Sequence, residues 1–346
     1  MKTYAGIDLH SSNNYIGIIN EQDQRLYGKR IPNELDRVLM ALEPFRDTLQ
    51  GVVVESTYNW YWLVDGLQDH GYKLHLANPA AIKQYEGLKH TDDKWDAFWL
   101  AHMRRLNILP EGYIYPKKER AVRDLLRRRL LFVRHRTSHI LSLQSMITRN
   151  LGLNMSGNAI KKLKEEEVEE MLDSSNLVFM AKNNISAIQF LGKIIKDIEK
   201  EVKPQVKLRK EFKMLLTIPG IGNILGLTIM LEVGDLNRFE KVGNYSSYCR
   251  CVGSSRMSNG KKKGENNKKN GNKYLSWAYV EAANFAIRYC AKAQSFYQRK
   301  KAKANGIVAI KALSNKICRA SYYVIRNGEP FDKEMLFVSY SNSVVN

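Results

Sequence analysis

The sequence predicts a multidomain protein of class α/β plus α, with an N-terminal α/β domain followed by mostly helical regions. A chain of 346 residues is too long for one core of ordinary size, so two or three domains are expected. In the first hundred residues, short apolar runs alternate with stretches of helical periodicity. Residues 117–150 contain no glycine or proline and repeat Leu and Ile at three- and four-residue steps, as long helices do.

The N-terminal region begins with three predicted strands and a helix. Apolar runs at 4–7 and 15–19 predict two strands, and residues 24–29 can pair as a third strand of a meander. Leu and Val at helical spacing then predict a helix over 33–47, with Asn33 as its N-cap.

A second part of the same domain alternates strands with helices. The run 51–55 is apolar until its final carboxylate, as in a central strand buried on both faces. A helix over 58–69, a strand over 73–77 and a helix from about 92 to 105 complete the α/β unit.

The remaining chain is predicted to be helical, with polar breaks. Two long helices, over 117–150 and about 177–201, flank an acidic-basic segment and suggest a helical hairpin or coiled coil. Further helices are predicted over 223–232, 272–291 and 306–327, and the tail after Phe337 is expected to fray. We therefore expect four regions: residues 1–112, 113–206, 207–330 and a tail over 331–346.

Charge predicts the kind of partner. Fifty-five Lys and Arg against 35 Asp and Glu give a net charge of +20, which favours phosphate backbones or anionic membranes. The chain has no apolar run of transmembrane length, and its N-terminus has no apolar signal core, so we expect a cytoplasmic protein that binds nucleic acid and no membrane. The four cysteines lack metal-binding spacing and are interpreted as buried or idle thiols; they are Cys249, Cys251, Cys290 and Cys318.

Four carboxylates form the first candidate site. Asp8 and Glu55 end two predicted strands, whereas Asp93 and Asp96 lie three residues apart and therefore on one helix face. Together they would form an oxygen-rich pocket suited to Mg²⁺ or Mn²⁺, ions that assist phosphoryl transfer. The alternative is that the strand acids are caps and the Asp92–Asp96 cluster is a helix N-terminus favoured by the helix dipole. Asp92 could replace Asp93. His10, two residues after Asp8, could support the metal ligands, although a solvated side chain at a strand end is the preferred interpretation.

Two basic stretches are candidate nucleic-acid surfaces. The segment 117–136 holds nine Lys and Arg against two acids, and we expect its cations to contact nucleic-acid backbone or another protomer. The second stretch, 256–273, is polar and is interpreted as a basic loop. The proposed contact residues are Arg123, Arg127, Arg128, Arg129, Arg256, Lys261, Lys262, Lys263, Lys268, Lys269 and Lys273.

A Pro-Gly turn precedes the helix over 223–232. Gly220 and Gly222 fit a helix-hairpin-helix, in which the N–H groups at the start of the second helix hold a DNA phosphate without reading sequence. A plain interhelical turn is the alternative.

Six short motifs follow one another along the chain. They are Gly6-Ile7-Asp8-Leu9-His10, Val53-Val54-Glu55-Ser56-Thr57, His90-Thr91-Asp92-Asp93-Lys94-Trp95-Asp96-Ala97, Thr217-Ile218-Pro219-Gly220-Ile221-Gly222, Leu231-Glu232-Val233-Gly234-Asp235 and Lys269-Asn270-Gly271-Asn272-Lys273-Tyr274-Leu275. In this order and spacing they resemble one family, the DEDD transposases of bacterial insertion sequences. This group is often called IS-one-ten and is related to the Piv-type DNA invertases.

The resemblance implies a RuvC-like (RNase H-like) N-terminal domain, a coiled coil and a C-terminal transposase domain that carries a nucleophilic serine. Ser258, before Asn259 and Gly260, fits the serine position best, and Ser254 and Ser255 stay open. The resemblance also implies recombination of donor and target DNA, guided by a structured non-coding bridge RNA. Because two strands of two duplexes must be exchanged and one chain carries one site, we expect a homodimer or homotetramer. A nuclease that uses water, and a non-catalytic nucleic-acid-binding protein, are the alternatives.

Overall fold

The structure is a computed structural model that describes residues 1–82, 92–206, 209–253, 255–264 and 270–332. The chain forms two compact units, Met1–Lys117 and Lys118–Asn346. The first contains an α/β sheet and the second is mostly helical, which confirms the predicted mixture of α/β and α structure. The division of the second unit near residue 206 stays a prediction, and most of the predicted tail lies outside the described residues. No helix that is long and apolar enough to cross a bilayer occurs in the described part of the chain.

The first unit is built on a six-stranded sheet. Its strands are β1 (Thr3–Leu9), β2 (Asn13–Asn20), β3 (Arg25–Pro32), β4 (Leu49–Glu55), β5 (Leu74–Ala77) and β6 (Glu111–Gly112). Their order is β3-β2-β1-β4-β5-β6. Strands β1 to β3 form an antiparallel meander, β4 and β5 run parallel to β1, and β6 is antiparallel to β5. The five predicted strands are confirmed; β6 has two residues, too few to show a period.

Helices cover both faces of this sheet. They are α1 (Leu35–Leu42), α2 (Tyr61–Asp69) and α3 (Asp93–Arg105). Val38 of α1 and Leu63 of α2 pack with Ile7 on one face. On the other face, Leu100 and Met103 of α3 pack against Val53.

The predicted helix over 33–47 is wrong in its bounds. A separate 3-10 turn occupies Glu43–Phe45, and the predicted cap, Asn33, lies outside α1. The Asn33 side chain is used elsewhere, because its Oδ1 accepts a hydrogen bond from Asn14 (3.1 Å) and its Nδ2 donates to the His10 carbonyl (3.0 Å).

A row of three glycines seats α3 on the sheet. Gly6, Gly17 and Gly28 are register partners on β1, β2 and β3. A Cβ on Gly6 would overlap the carbonyl oxygen of Ala97, and one on Gly17 or Gly28 would come within 2.9 Å of the Phe98 ring. The absence of side chains along this row therefore lets the helix lie directly on the strands.

The second unit is built from ten helices and a small hairpin among the described residues. They are α4 (Lys117–Leu151), α5 (Gly157–Ile160), α6 (Glu165–Met171), α7 (Ser175–Val202), α8 (Lys210–Leu215), α9 (Asn223–Val233), α10 (Val242–Tyr248), β7 (Arg256–Ser258), β8 (Lys261–Gly264), α11 (Lys273–Tyr289), α12 (Ala291–Lys303) and α13 (Gly306–Asn327). Helices α4, α7, α9, α11 and α13 confirm predicted helices. Helix α12 was not predicted, because it buries only Ala293 and so carries little apolar periodicity.

The long helices α4 and α7 pack antiparallel. Arg129 Nε donates to Glu199 at 2.7 Å, and farther along α4 His139 contacts Asn184 at 3.1 Å. Increasing residue numbers on α4 thus meet decreasing numbers on α7. Leu126 of α4 joins a core with residues of α9, α11 and α13, so α4 is anchored in that core.

Candidate metal centre

The strand acids lie at the carboxyl ends of neighbouring parallel strands. Asp8 follows Ile7, the register partner of Val54, and Glu55 follows Val54. Side chains alternate between the faces of a strand, so Asp8 shares the face of Gly6 and Glu55 shares the face of Val53. This is the face covered by α3. Asp8 is only 4% exposed.

The helix acids lie in the first turn of α3. Asp93 and Asp96 both fall in that turn, whereas the Asp92 side chain caps the helix by accepting a 2.6 Å hydrogen bond from the Trp95 N–H. The Asp92 carboxylate is therefore engaged by the backbone at the start of α3. This geometry favours Asp93 over Asp92 as the third acid, and that choice stays a prediction.

His10 lies between the two sets of acids. Its ring Nε2 is 3.0 Å from Asp8 Oδ2 and 3.1 Å from Asp93 Oδ1, although 43% of the side chain is exposed. The side-chain amides of Asn33 and Asn59 both donate to the His10 carbonyl, at 3.0 and 2.8 Å. The expectation of a merely solvated histidine is therefore wrong, because the backbone of His10 is held and its ring contacts both acids.

Arg30 adds a cation on the other side of Asp93. Its Nη2 lies 2.5 Å from Asp93 Oδ2. Arg30 of β3 and Asp8 of β1 are both register partners of Tyr15, in the row next to the three glycines. The first turn of α3 thus meets a polar row of the sheet, immediately beyond the row that seats the helix.

Crowding of the acids disfavours their charged forms. Burial raises the pKa of Glu55 to about 7, and the charges of Asp8 and Asp96 add to this effect. Burial also raises the pKa of Asp8 to about 6; the charge of His10 opposes the rise, while Asp96 and Asp93 add to it. A bound cation would lower the raised pKa values of these acids, because it stabilises their ionised forms.

The donor set fits a divalent ion. One ligand atom each from Asp8, His10 and Asp93 lies within 4.8 Å of the other two, close enough for one ion to reach all three. Carboxylate oxygens suit Mg²⁺ and Mn²⁺, and an imidazole nitrogen is better accepted by Mn²⁺ than by Mg²⁺.

The arginines of α4 have acidic partners inside their own unit. Arg123 is buried with its Nε 3.1 Å from Glu232 Oε2, and Arg127 donates to both oxygens of Glu232 at 2.5 and 2.8 Å. Arg129 pairs with Glu199. Their role in nucleic-acid binding stays a prediction. Within the fold, these three arginines form ion pairs with Glu232 and Glu199.

The Glu232 carboxylate is the centre of this network. Burial would raise its pKa, but the hydrogen bond from Arg127 and the charges of Arg123 and Arg127 outweigh burial, so the pKa lies below the usual value. Asn272 Nδ2 also donates to it at 2.7 Å. Arg128, by contrast, is exposed.

The Pro-Gly turn packs tightly. Gly220 has φ +88°, and a Cβ there would overlap the carbonyl oxygen of Ala282 on α11. Gly222, the N-cap of α9, is exposed and borders a groove of about 630 Å³ shared with Trp277 and Phe285. Packing alone therefore accounts for Gly220, whereas Gly222 and the first turn of α9 face open space.

The predicted serine loop contains a β-hairpin. Ser258 pairs with Lys261, and the two residues between them, Asn259 and Gly260, have φ of +49° and +70°. Two positive φ values define a type I′ turn, for which Asn-Gly is the favoured sequence. The interpretation of 256–273 as a loop throughout is thus wrong, and the missed signal was Asn259-Gly260.

Ser258 is exposed beside this turn, as are Lys261 and Lys263. Arg256 and Lys262 lie on the strands, and Lys273 begins α11. Ser254, Lys268 and Lys269 lie outside the described residues.

The sheet with its acid cluster and the helical second unit agree with a DEDD nuclease-like protein. Residues 5–150 match the profile of the IS110-type DEDD transposases, described as "Transposase", and residues 212–298 match the "Transposase IS116/IS110/IS902 family". The chain belongs to the IS110-type DEDD transposase family.

A curated relative agrees with this assignment. The chain is 23% identical over 235 residues to the "Transposase for insertion sequence element IS1111A" of Coxiella burnetii (strain RSA 493 / Nine Mile phase I). The match covers 67% of this chain and 63% of that protein, so the chain spans less than two thirds of the relative's length.

Proposed function

We propose that this protein is an insertion-sequence transposase that cuts and rejoins DNA with the help of divalent metal ions. The observation that carries the proposal is that Asp8 and Glu55 lie at the ends of neighbouring strands on the face covered by α3, whose first turn holds Asp93 and Asp96. Membership of the family supports the same role for these acids. The strand order and the position of α3 support a RuvC-like, RNase H-like domain.

In this proposal Asp8, Glu55, Asp93 and Asp96 hold Mg²⁺ or Mn²⁺, with His10 as a further ligand. When bound there, such ions would polarise the scissile phosphate and stabilise the leaving oxygen. Arg30 keeps the Asp93 carboxylate oriented through their 2.5 Å contact. Because the acids and His10 lie on fixed strand ends and a seated helix, little reorganisation is needed when DNA binds.

Ser258 is the proposed nucleophile. Its Oγ forms a phosphoester bond to one side of a DNA break, its proton leaves to solvent or a nearby base, and a DNA hydroxyl departs. A hydroxyl from the partner strand then attacks the same phosphorus and releases the serine hydroxyl. The phosphoester bond is thus transferred to DNA and is not hydrolysed by water. The position of Ser258 beside a type I′ turn supports this role, because the turn fixes the backbone and leaves the hydroxyl exposed.

The remaining parts of the proposal have different grounds. Family resemblance supports guidance by a bridge RNA and joining of donor to target DNA. The exchange of strands between two duplexes supports a homodimer or homotetramer. The sequence pattern supports coiled-coil packing of α4 with α7, phosphate binding at Gly222, and a cytoplasmic, nucleoid-associated location. The net charge of +20 supports binding to DNA and RNA in general.

The test is recombination in cells that express the full chain together with the natural flanking DNA of its own gene. Wild-type protein should give joined products and a covalent protein–DNA adduct that maps to Ser258 by mass spectrometry. Glu55→Ala should give neither, and Ser258→Ala should give no adduct while retaining DNA binding.

Asp36→Asn, a change at an exposed acid of α1, serves as the matched control and should behave as wild type. An adduct on Ser255 would move the nucleophile within the same segment. Cleaved ends without any adduct would instead identify a nuclease that uses water.

A further inference from the structure

Helices α12 and α13 carry many positive charges and no negative ones, whereas three arginines of α4 have acidic partners. Residues 282–328 contain ten Lys and Arg and no Asp or Glu, against a net charge of +20 for the whole chain. These cations are Arg288, Lys292, Arg299, Lys300, Lys301, Lys303, Lys311, Lys316, Arg319 and Arg326.

Cations from the two helices converge on one area. Helix α12 packs against α13, and Lys316 Nζ of α13 lies over the Phe296 ring of α12 at 5.3 Å. Burial lowers the pKa of Lys316, and the charges of Arg319, Lys300 and Arg299 lower it further. The charged groups that lower the pKa of Lys316 thus come from both helices and are basic.

Nine of these ten side chains are exposed, all but Lys316. Six of the nine form what we name the α12–α13 surface. They are Arg299, Lys300, Lys301, Lys303, Lys311 and Arg319. Among the ion pairs found within the described ranges, none joins these six to a carboxylate. In α4, by contrast, Arg123 and Arg127 are paired with Glu232, and Arg129 is paired with Glu199.

The axial spacing of two of these cations is comparable to the width of a duplex groove. Lys311 and Arg319 are eight residues apart on α13, so their backbones lie about 12 Å apart along the helix axis, at about 1.5 Å of rise per residue. The major groove of B-form DNA is about 12 Å wide. The corresponding groove of A-form RNA is narrow and deep.

The geometry points to binding of duplex DNA: we propose that the α12–α13 surface contacts phosphates on both sides of one groove. Like-charged side chains held this close repel one another, and neutralisation by phosphates removes that cost. Phosphate contacts position a protein without reading bases, so the surface would bind DNA of any sequence. The choice of DNA rests on the proposed function, whereas the location of the surface does not.

The experiment measures the affinity of the full chain for a random-sequence DNA duplex of about 30 base pairs over a range of salt concentrations. The test variant combines Lys300→Gln, Lys301→Gln and Arg319→Gln. The control combines Lys193→Gln, Lys196→Gln and Lys200→Gln, three exposed lysines on α7. Both variants remove three charges from helices, and Gln preserves helix propensity. Circular dichroism and thermal melting verify that each is folded.

Each lost phosphate contact should reduce the slope of log affinity against log salt by about 0.9. We expect the test variant to lose about two to three units of slope and the control to keep the wild-type slope. Equal slopes in the two variants would overturn the proposal. A loss seen with an RNA duplex or with anionic vesicles but not with DNA would overturn the assignment of the partner. If the wild type bound no DNA, the proposed function itself would fail, which is a different result.

Discussion

Gly6 of β1 lies directly against Ala97 of α3, because a Cβ at position 6 would overlap the Ala97 carbonyl oxygen. It would also come within 2.8 Å of the Ala101 nitrogen. Asp8 lies two residues after Gly6, and Asp93 lies one turn before Ala97. This contact therefore sets the separation between the strand acids and the helix acids.

Replacing this glycine should disturb both stability and the metal site. Gly6→Ala forces α3 away from the sheet, and we expect a loss of about 1–3 kcal/mol in the free energy of unfolding, together with weaker Mn²⁺ binding. Gly112→Ala is the control, because its Cβ would meet Leu76 O at an ordinary 3.5 Å. Chemical denaturation measures the difference; equal stability of the two variants would show that α3 is not seated by Gly6.

Arg123 should be essential to the second unit. Arg123→Ala leaves the buried Glu232 with fewer cationic partners, and removing one member of a buried ion pair costs about 3–5 kcal/mol. Arg127 and Asn272 still contact Glu232, so we expect the lower end of that range. Arg128→Ala, at an exposed neighbouring position, should change stability by less than about 0.5 kcal/mol. Similar urea midpoints for the two variants would contradict the structural role of Arg123.

The acid cluster should make the metal-free protein less stable as pH rises. The pKa of Glu55 is about 7 in the folded protein against an ordinary value of 4.5, so the folded state binds more protons between these values. Unfolding free energy therefore falls as pH increases through this window. Glu55→Gln removes the group that causes this pH dependence. In EDTA, the unfolding free energy of the variant minus that of the wild type should therefore increase from pH 4.5 to pH 7. A difference that stays constant over that range would disagree with the raised pKa.

His10 should contribute a nitrogen ligand to a bound ion. Electron spin-echo measurements on the Mn²⁺-loaded protein should show nitrogen modulation, because the ring Nε2 lies 3.0 Å from Asp8 Oδ2. His10→Ala should abolish the modulation, and His135→Ala, at an exposed position on α4, should retain it. Tight Mn²⁺ binding without any nitrogen modulation in the wild type would exclude His10 as a ligand.

Local patterns in the sequence were sufficient to predict most strands and helices of the first unit. The apolar run of β4 ends at Glu55, and the Asp92–Asp96 cluster opens α3, so strand-end and helix-start acids were visible before any contacts were known. The glycines at 6, 17 and 28 were visible too, but their common function depends on the register of three strands.

Long-range partners could not be predicted from local patterns. The basic segment of α4 predicted phosphate contacts, yet Arg127 is paired with Glu232, 105 residues away in sequence. His10 carried no sign of its contact with Asp93, since that contact needs α3 folded onto the sheet. Helix α12 was missed because its surface is almost entirely polar, and that same polarity defines the α12–α13 surface.

The most direct test of metal binding by the acid cluster is a titration of the full chain with Mn²⁺, in which binding is measured by calorimetry and by electron paramagnetic resonance. We expect the wild type and Asp36→Asn to bind Mn²⁺ tightly, whereas Asp8→Asn and Glu55→Gln should lose that binding, since these carboxylates are proposed ligands. Mn²⁺ binding by Asp8→Asn and Glu55→Gln as tight as that of the wild type would contradict the metal centre.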